Sequence, residues 1–181
     1  PVSNYQRVLV PVDFSDCSAE LVRHAAQLAR PHGAELVLFH AFELPVGLKG
    51  HASVVGSDGV RRPIREQLRA EAHERMEPLL AEGRAAGLSV TSHIAEGPAA
   101  TTALHHAERL PADLIVVGSH GRTGVRRLSL GSVSEALVRN ADVPVMTIRS
   151  RHHTGCEAVS CETCRSGGLD AMLQADAEVD G

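Results

Sequence analysis

The chain reads as an α/β protein, a doubly wound, mostly parallel sheet covered by helices on both faces in a single three-layer domain. Three observations predict it. Short apolar runs recur at residues 7–12, 35–40 and 113–118, the near-continuous pattern of strands buried on both faces. Between them lie segments whose apolar residues repeat at helical spacing. The two kinds of segment alternate along the chain, as parallel strands joined by helical crossovers require.

The first strand is expected at residues 7–12. Ser15 is placed to cap a helix running to about Arg30, with Leu21, Ala25 and Leu28 on one face and Pro31 and Gly33 ending it. Residues 35–40 form the second strand. Residues 43–62 carry Pro45, Gly47, Gly50, Gly56 and Gly59 with little periodicity and read as a long loop. A helix follows from Pro63 with Ile64, Leu68, Met76, Leu79 and Leu80 apolar, kinked at Pro78 and ended by Gly87. Strand three is expected at 88–94, and Pro98 opens a helix through Glu108. Strand four follows at 113–118, a short helix at 134–140 and strand five at 143–148.

The stretch after strand four, GSHGRTGVRRLSLGS from Gly118 to Ser132, carries the most specific chemistry. A strand, a glycine-rich loop and a helix start in that order make a phosphate-binding arrangement. Glycine at 118 and 121 lets the main chain approach a ligand closely. The amides of Gly131, Ser132, Val133 and Ser134 fall at a helix N-terminus, where they lack intrahelical acceptors and the helix dipole is positive. The Ser132 and Ser134 hydroxyls add neutral donors. A plainer reading stands beside this one: Ser132-Val133-Ser134-Glu135 is a capping box, and glycines after a strand also make ordinary turns.

The spacing Gly118-x-x-Gly121-x9-Gly131-Ser132 resembles the nucleotide-binding signature of the universal stress protein family. So do three other segments: VLVPVDFS from Val8 as first strand and turn, LVLFHA from Leu36 as second strand, and DVPVMTI from Asp142 as last strand. The resemblance covers about residues 4 to 150. It implies strand order 3-2-1-4-5 and a crevice between strands one and four, beyond the carboxyl ends where strand order reverses. Asp13 then lies at one lip and Gly118 at the other.

By the same resemblance, Pro11, Val12, Asp13 and Ala41 hold adenine and ribose. Asp13 offers carboxylate oxygens to ribose hydroxyls, with a helix-entry carboxylate as its alternative role. Ala41 supplies a small apolar wall, or simple packing. Gly118 falls near the ribose, and Gly121, Gly131, Ser132, Val133 and Ser134 cradle the phosphates. Arg122, Arg126 and Arg127 bring positive charge to that loop or decorate its solvated face, and His120 is a loop residue. The implied function is binding of ATP, or of ADP or AMP, as a state signal in a stress-response protein that forms a homodimer through its last strand. No G-x-x-x-x-G-K-[ST] loop is present, and no carboxylate pair or lysine is placed to hold magnesium and activate water. The reading therefore leans from enzyme towards binder, with a nucleotide-hydrolysing enzyme on the same fold as the alternative.

Bulk properties bound the partners. The chain has 18 Lys+Arg and 22 Asp+Glu, and residues 151–181 hold only two of the arginines against six acidic groups. The body is therefore neutral and the tail acidic. A neutral body with no Trp, one Tyr and three Phe argues against a nucleic-acid binder, which needs a basic face and stacking platforms. No apolar run approaches a membrane span, and no basic-then-apolar leader precedes the first strand, so a soluble cytoplasmic protein without a membrane partner is expected.

The chain thus divides into a nucleotide-binding domain at residues 1–150 and a tail at 151–181. In the tail, Cys156-x4-Cys161-x2-Cys164 follows His152 and His153. Such density in a cytosolic protein points to metal, with Zn²⁺ taking the three thiolates and one imidazole. The spacing also matches part of a plant-type [2Fe–2S] pattern, for which Cys17 is the one remaining thiol. A disordered acidic tail with redox-active thiols is the alternative, and a metal or redox sensor the corresponding function.

Overall fold

A computed structural model of the chain describes residues 4–47, 52–56, 59–119 and 130–149. Its elements in order are β1 (Arg7–Pro11), α1 (Ser18–Ala29), a 3-10 turn (Arg30–His32), β2 (Glu35–Phe42), β3 (Ser53–Val55), β4 (Arg61–Pro63), α2 (Ile64–Ala85), β5 (Val90–Glu96), α3 (Ala99–Arg109), β6 (Leu114–Gly118), α4 (Ser132–Asn140) and β7 (Val145–Ile148). The main sheet is parallel throughout, in the order β5-β2-β1-β6-β7. With the separate β3–β4 hairpin set aside, that is the expected order 3-2-1-4-5.

Alternation along the strands separates two cores. Val8, Val10, Leu36, Leu38, Leu114 and Val116 face α1 and α2, meeting Val22, Ala25, Met76 and Leu80. Leu9, Val37, Phe39, Ile115 and Val117 face α3 and α4, meeting Ala103, Ala107 and Leu137. Both faces of the central strands are covered, which is why they are apolar without a break. The small residues of α1 and α3 let those helices lie close to the sheet. At Gly83 of α2 an added Cβ would stand 3.0 Å from Val90 Cγ2 and 3.3 Å from Leu36 Cδ2, so glycine there lets α2 approach β2 and β5 without pressing on those side chains.

The structure departs from the expectations at three places. Residues 43–62 are not wholly loop: β3 and β4 pair antiparallel, Val54 opposite Arg62. α2, by contrast, runs through Pro78 to Ala85 and stops just before Gly87, where the sequence ends it. α1 begins at Ser18 with Cys17 in the N-cap position, not Ser15; the chain first makes a turn in which Ser18 N donates to Ser15 O at 2.9 Å. α4 begins at Ser132, two residues early, for a reason that belongs to the site.

At the opposite end of the sheet, Asp113 accepts the amides of Gln6 and Arg7, and Arg7 pairs with Glu35 at 2.8 Å. The hydrogen bond from Arg7 holds the Glu35 carboxyl below its usual range. These contacts join the starts of β1, β2 and β6, at the end of the sheet away from Asp13 and Gly118.

Candidate functional site

The crevice forms where two crossovers leave the sheet in opposite directions. From β1 the chain passes to α1 on one face, whereas β6 leads on to α4 on the other. The β1–β6 ladder pairs Val8 with Leu114 and Leu9 with Ile115, whereas β1 stays paired with β2 through Pro11 opposite Phe39. This is the topological switch point at which open α/β sheets take ligands.

One lip is the turn after β1. Val12 N donates to Phe39 O at 2.8 Å, extending the strand by one residue. Asp13 follows, and its two carboxylate oxygens have different surroundings. Oδ1 accepts from Ser15 N at 3.0 Å, Ser15 Oγ at 2.7 Å and Ser18 Oγ at 3.3 Å. Oδ2 is out of contact with solvent and has no hydrogen-bond partner. The helix-entry role therefore belongs to Oδ1, and Oδ2 is left over. An unsatisfied buried carboxylate oxygen is costly and needs a reason. A ligand hydroxyl donating to it would supply one.

Ala41 is half-buried near the end of β2, opposite Ala95 of β5, and packs against the core beneath α3 and α4. Pro11 is partly and Val12 fully buried.

The other lip joins the end of β6 to the start of α4. Gly131 N donates to Ser119 O at 2.8 Å, and the Ser134 hydroxyl donates to Gly118 O at 2.5 Å. Both ends of the glycine-rich loop are thereby pinned together. The expected capping box does not form. Gly131 occupies the N-cap in an extended conformation without a side-chain cap, Ser132 is the first helical residue, and the buried Ser134 side chain turns to the strand end, where its hydroxyl finds the Gly118 carbonyl as acceptor. The first helical hydrogen bond runs from Glu135 N to Gly131 O at 2.8 Å. The amides of Ser132, Val133 and Ser134 precede it and have no intrahelical acceptor, and the positive end of the helix dipole lies among them. The Gly131 amide, expected among the phosphate donors, serves the loop closure instead.

Ser134→Ala should leave the Gly118 carbonyl without its donor. The expected loss is about 1–3 kcal/mol of stability, read from urea unfolding. An unchanged midpoint would mean the Ser134 contact contributes nothing.

Gly121 and Arg122 lie outside the described residues, as do His120, Arg126 and Arg127. So do all the tail candidates, His152, His153, Cys156, Cys161 and Cys164. Among the described residues no group of three or more His, Cys, Asp or Glu could hold a metal ion, and no helix is long and apolar enough to cross a membrane. Cys17, the remaining thiol, is partly buried at the start of α1.

Three residues of this region have no signal in the sequence. Phe14, directly after Asp13, adopts φ +60°, rare for any residue with a side chain and rarer for a bulky one. His40 donates from Nδ1 to Val12 O at 2.8 Å and stacks on Phe14 with ring centroids 4.1 Å apart. Arg75 of α2 reaches the same turn, its Nη2 donating to Phe14 O at 2.8 Å.

Fold and crevice together define an open α/β protein with a candidate ligand site at its switch point, one lip bearing a carboxylate and the other a helix N-terminus. The family model described as "Universal stress protein family" matches residues 4–149, and the chain belongs to that family. It is 31% identical over 147 residues to universal stress protein MJ0531 of Methanocaldococcus jannaschii, covering 80% of this chain and 82% of the relative. Among solved structures, it is similar to universal stress protein UspA from Lactobacillus plantarum, with TM-score 0.67 and 25% identity over 81% of this chain and 99% of that one. The universal stress protein from Archaeoglobus fulgidus, solved in complex with dAMP, shares the fold with TM-score 0.57 and 22% identity, over 81% of this chain and 99% of that one.

Proposed function

We propose that this universal stress protein binds an adenine nucleotide, ATP foremost, in the crevice between β1 and β6, and that the bound nucleotide marks its state rather than being rapidly turned over. The observation that carries the reading is the buried, unpartnered Oδ2 of Asp13. A ribose hydroxyl is a donor of the right kind for it. The amides of Ser132, Val133 and Ser134 suit the phosphates, since anions are favoured at helix N-termini. Pro11, Val12 and Ala41 offer apolar surface for adenine, and Gly118 allows close approach. The dAMP complex of the Archaeoglobus relative adds support from outside the chain. Gly121 and Arg122 complete the proposed phosphate loop. Zn²⁺ binding by the tail has no support among these observations and is not part of the proposal.

Homodimer formation through β7 belongs to the same proposal. β7 is an edge strand of the main sheet, and Met146 on it is 38% exposed. Such an edge presents unpaired backbone groups to a second copy.

Calorimetric titration of protein refolded free of nucleotide tests the binding reading. Saturable, one-to-one binding of ATP, with GTP clearly weaker, is expected. Absence of heat and of any thermal shift with ATP, ADP and AMP would contradict it.

A further inference from the structure

Asp13 lies between two peptide carbonyls, each held by a side chain from a different element. Val12 O accepts from His40 of β2, and Phe14 O accepts from Arg75 of α2, both at 2.8 Å. The Arg75 guanidinium also lies over the Phe14 ring, 4.7 Å from its centroid, within cation–π range. The same ring meets His40, with centroids 4.1 Å apart and planes inclined at 37°. Phe14 is the one non-glycine residue with positive φ among the described residues. A bulky side chain stays in that region only where its surroundings over-determine it. Here the surroundings are the hydrogen bond and the ring contacts from Arg75 and His40.

We propose that Arg75 is a positioning residue for the nucleotide site. By holding Phe14 in the left-handed conformation, it fixes the turn that keeps Asp13 Oδ1 engaged with Ser15 and Ser18 and leaves Oδ2 without a protein partner, for a ligand hydroxyl to reach. The inference rests on the nucleotide reading above. Without the clamp, Phe14 relaxes towards negative φ, the Asp13–Phe14 peptide rotates, and the carboxylate leaves its aim. Arg75 is itself exposed, so its removal leaves both cores intact.

This mechanism makes a distinctive demand: glycine adopts φ +60° without a clamp, so Phe14→Gly should make Arg75 dispensable. The experiment measures ATP and 3′-deoxy-ATP affinities in four proteins: wild type, Arg75→Met, Phe14→Gly and the double variant, with thermal unfolding to confirm that each is folded. Arg75→Met is expected to weaken ATP binding about tenfold and to shrink the preference for ATP over the 3′-deoxy analogue, because ribose recognition is what the clamp sets. In the Phe14→Gly background the same substitution should cost no more than about twofold. Arg75→Lys, which keeps a cation and a donor, should recover part of the loss. An equal loss in both backgrounds would mean that Arg75 acts directly on the ligand or on the fold, and would overturn the proposal. So would an Arg75→Met affinity within about twofold of wild type. Failure of wild-type protein to bind ATP is a separate result and removes the nucleotide reading itself.

Discussion

Asp13→Asn is expected to weaken adenine-nucleotide binding by about ten- to a hundredfold while leaving the fold in place. The asparagine carbonyl can take over the Oδ1 role, accepting from Ser15 N, Ser15 Oγ and Ser18 Oγ. Its amide then stands where Oδ2 was, and an amide nitrogen donates where a ribose hydroxyl also donates. Hydrogen bonds to charged groups contribute about 1.5–3 kcal/mol each, which sets the size of the loss. The pair of measurements that checks it is ATP affinity by calorimetry and thermal unfolding of the ligand-free protein. Unchanged affinity would show that Oδ2 does not face the nucleotide. A collapse of stability would show that the charge, rather than the Oδ1 geometry, holds the turn.

The largest effect on stability is expected from Phe39→Ala. Phe39 is 1% exposed on β2 and packs with Leu9, Ile115 and Val117 against α3 and α4. Truncating so buried an aromatic side chain costs about 3–5 kcal/mol, transfer and cavity terms together. For a domain of this size that lowers the unfolding temperature by roughly 10 °C or more. The same residue's carbonyl accepts from Val12 N, at the base of the turn after β1. Denaturant unfolding monitored by circular dichroism reads the loss. A cost below about 1 kcal/mol would mean that this face of the sheet is not packed as described.

The central fold was legible because its strands are buried on both sides. Such strands must be apolar without interruption, and Leu36–Leu38 and Leu114–Val117 announce themselves to a simple reading. The β3–β4 hairpin did not, because its strands are three residues each and largely exposed, with Arg61 and Arg62 in one of them. The helix starts differ from the local signals for a related reason. Ser15 and Ser132 look like caps locally, yet the first is occupied by the Asp13 turn, and at the second Gly131 takes the N-cap position.

The site divides along the same line. Periodicity marks the strand ends at which Asp13 and Gly118 sit, while their proposed roles come from the family resemblance, and the start of α4 lies two residues before the expected one. The split between the two Asp13 oxygens could not, since it depends on where Ser18 and Ser15 come to lie in space. Phe14 gave no warning either: positive φ is signalled by glycine or asparagine, not by an aromatic residue. Arg75 stands 61 residues from its acceptor, and nothing local sets it apart from the other arginines of α2.

The most direct test of the account is a crystal structure of the protein grown with ATP. The account predicts a ribose hydroxyl within about 2.6–3.2 Å of Asp13 Oδ2 and phosphate oxygens at the Ser132–Ser134 amides. Nucleotide bound elsewhere, or bound in the crevice with Asp13 Oδ2 still unpartnered, would contradict it.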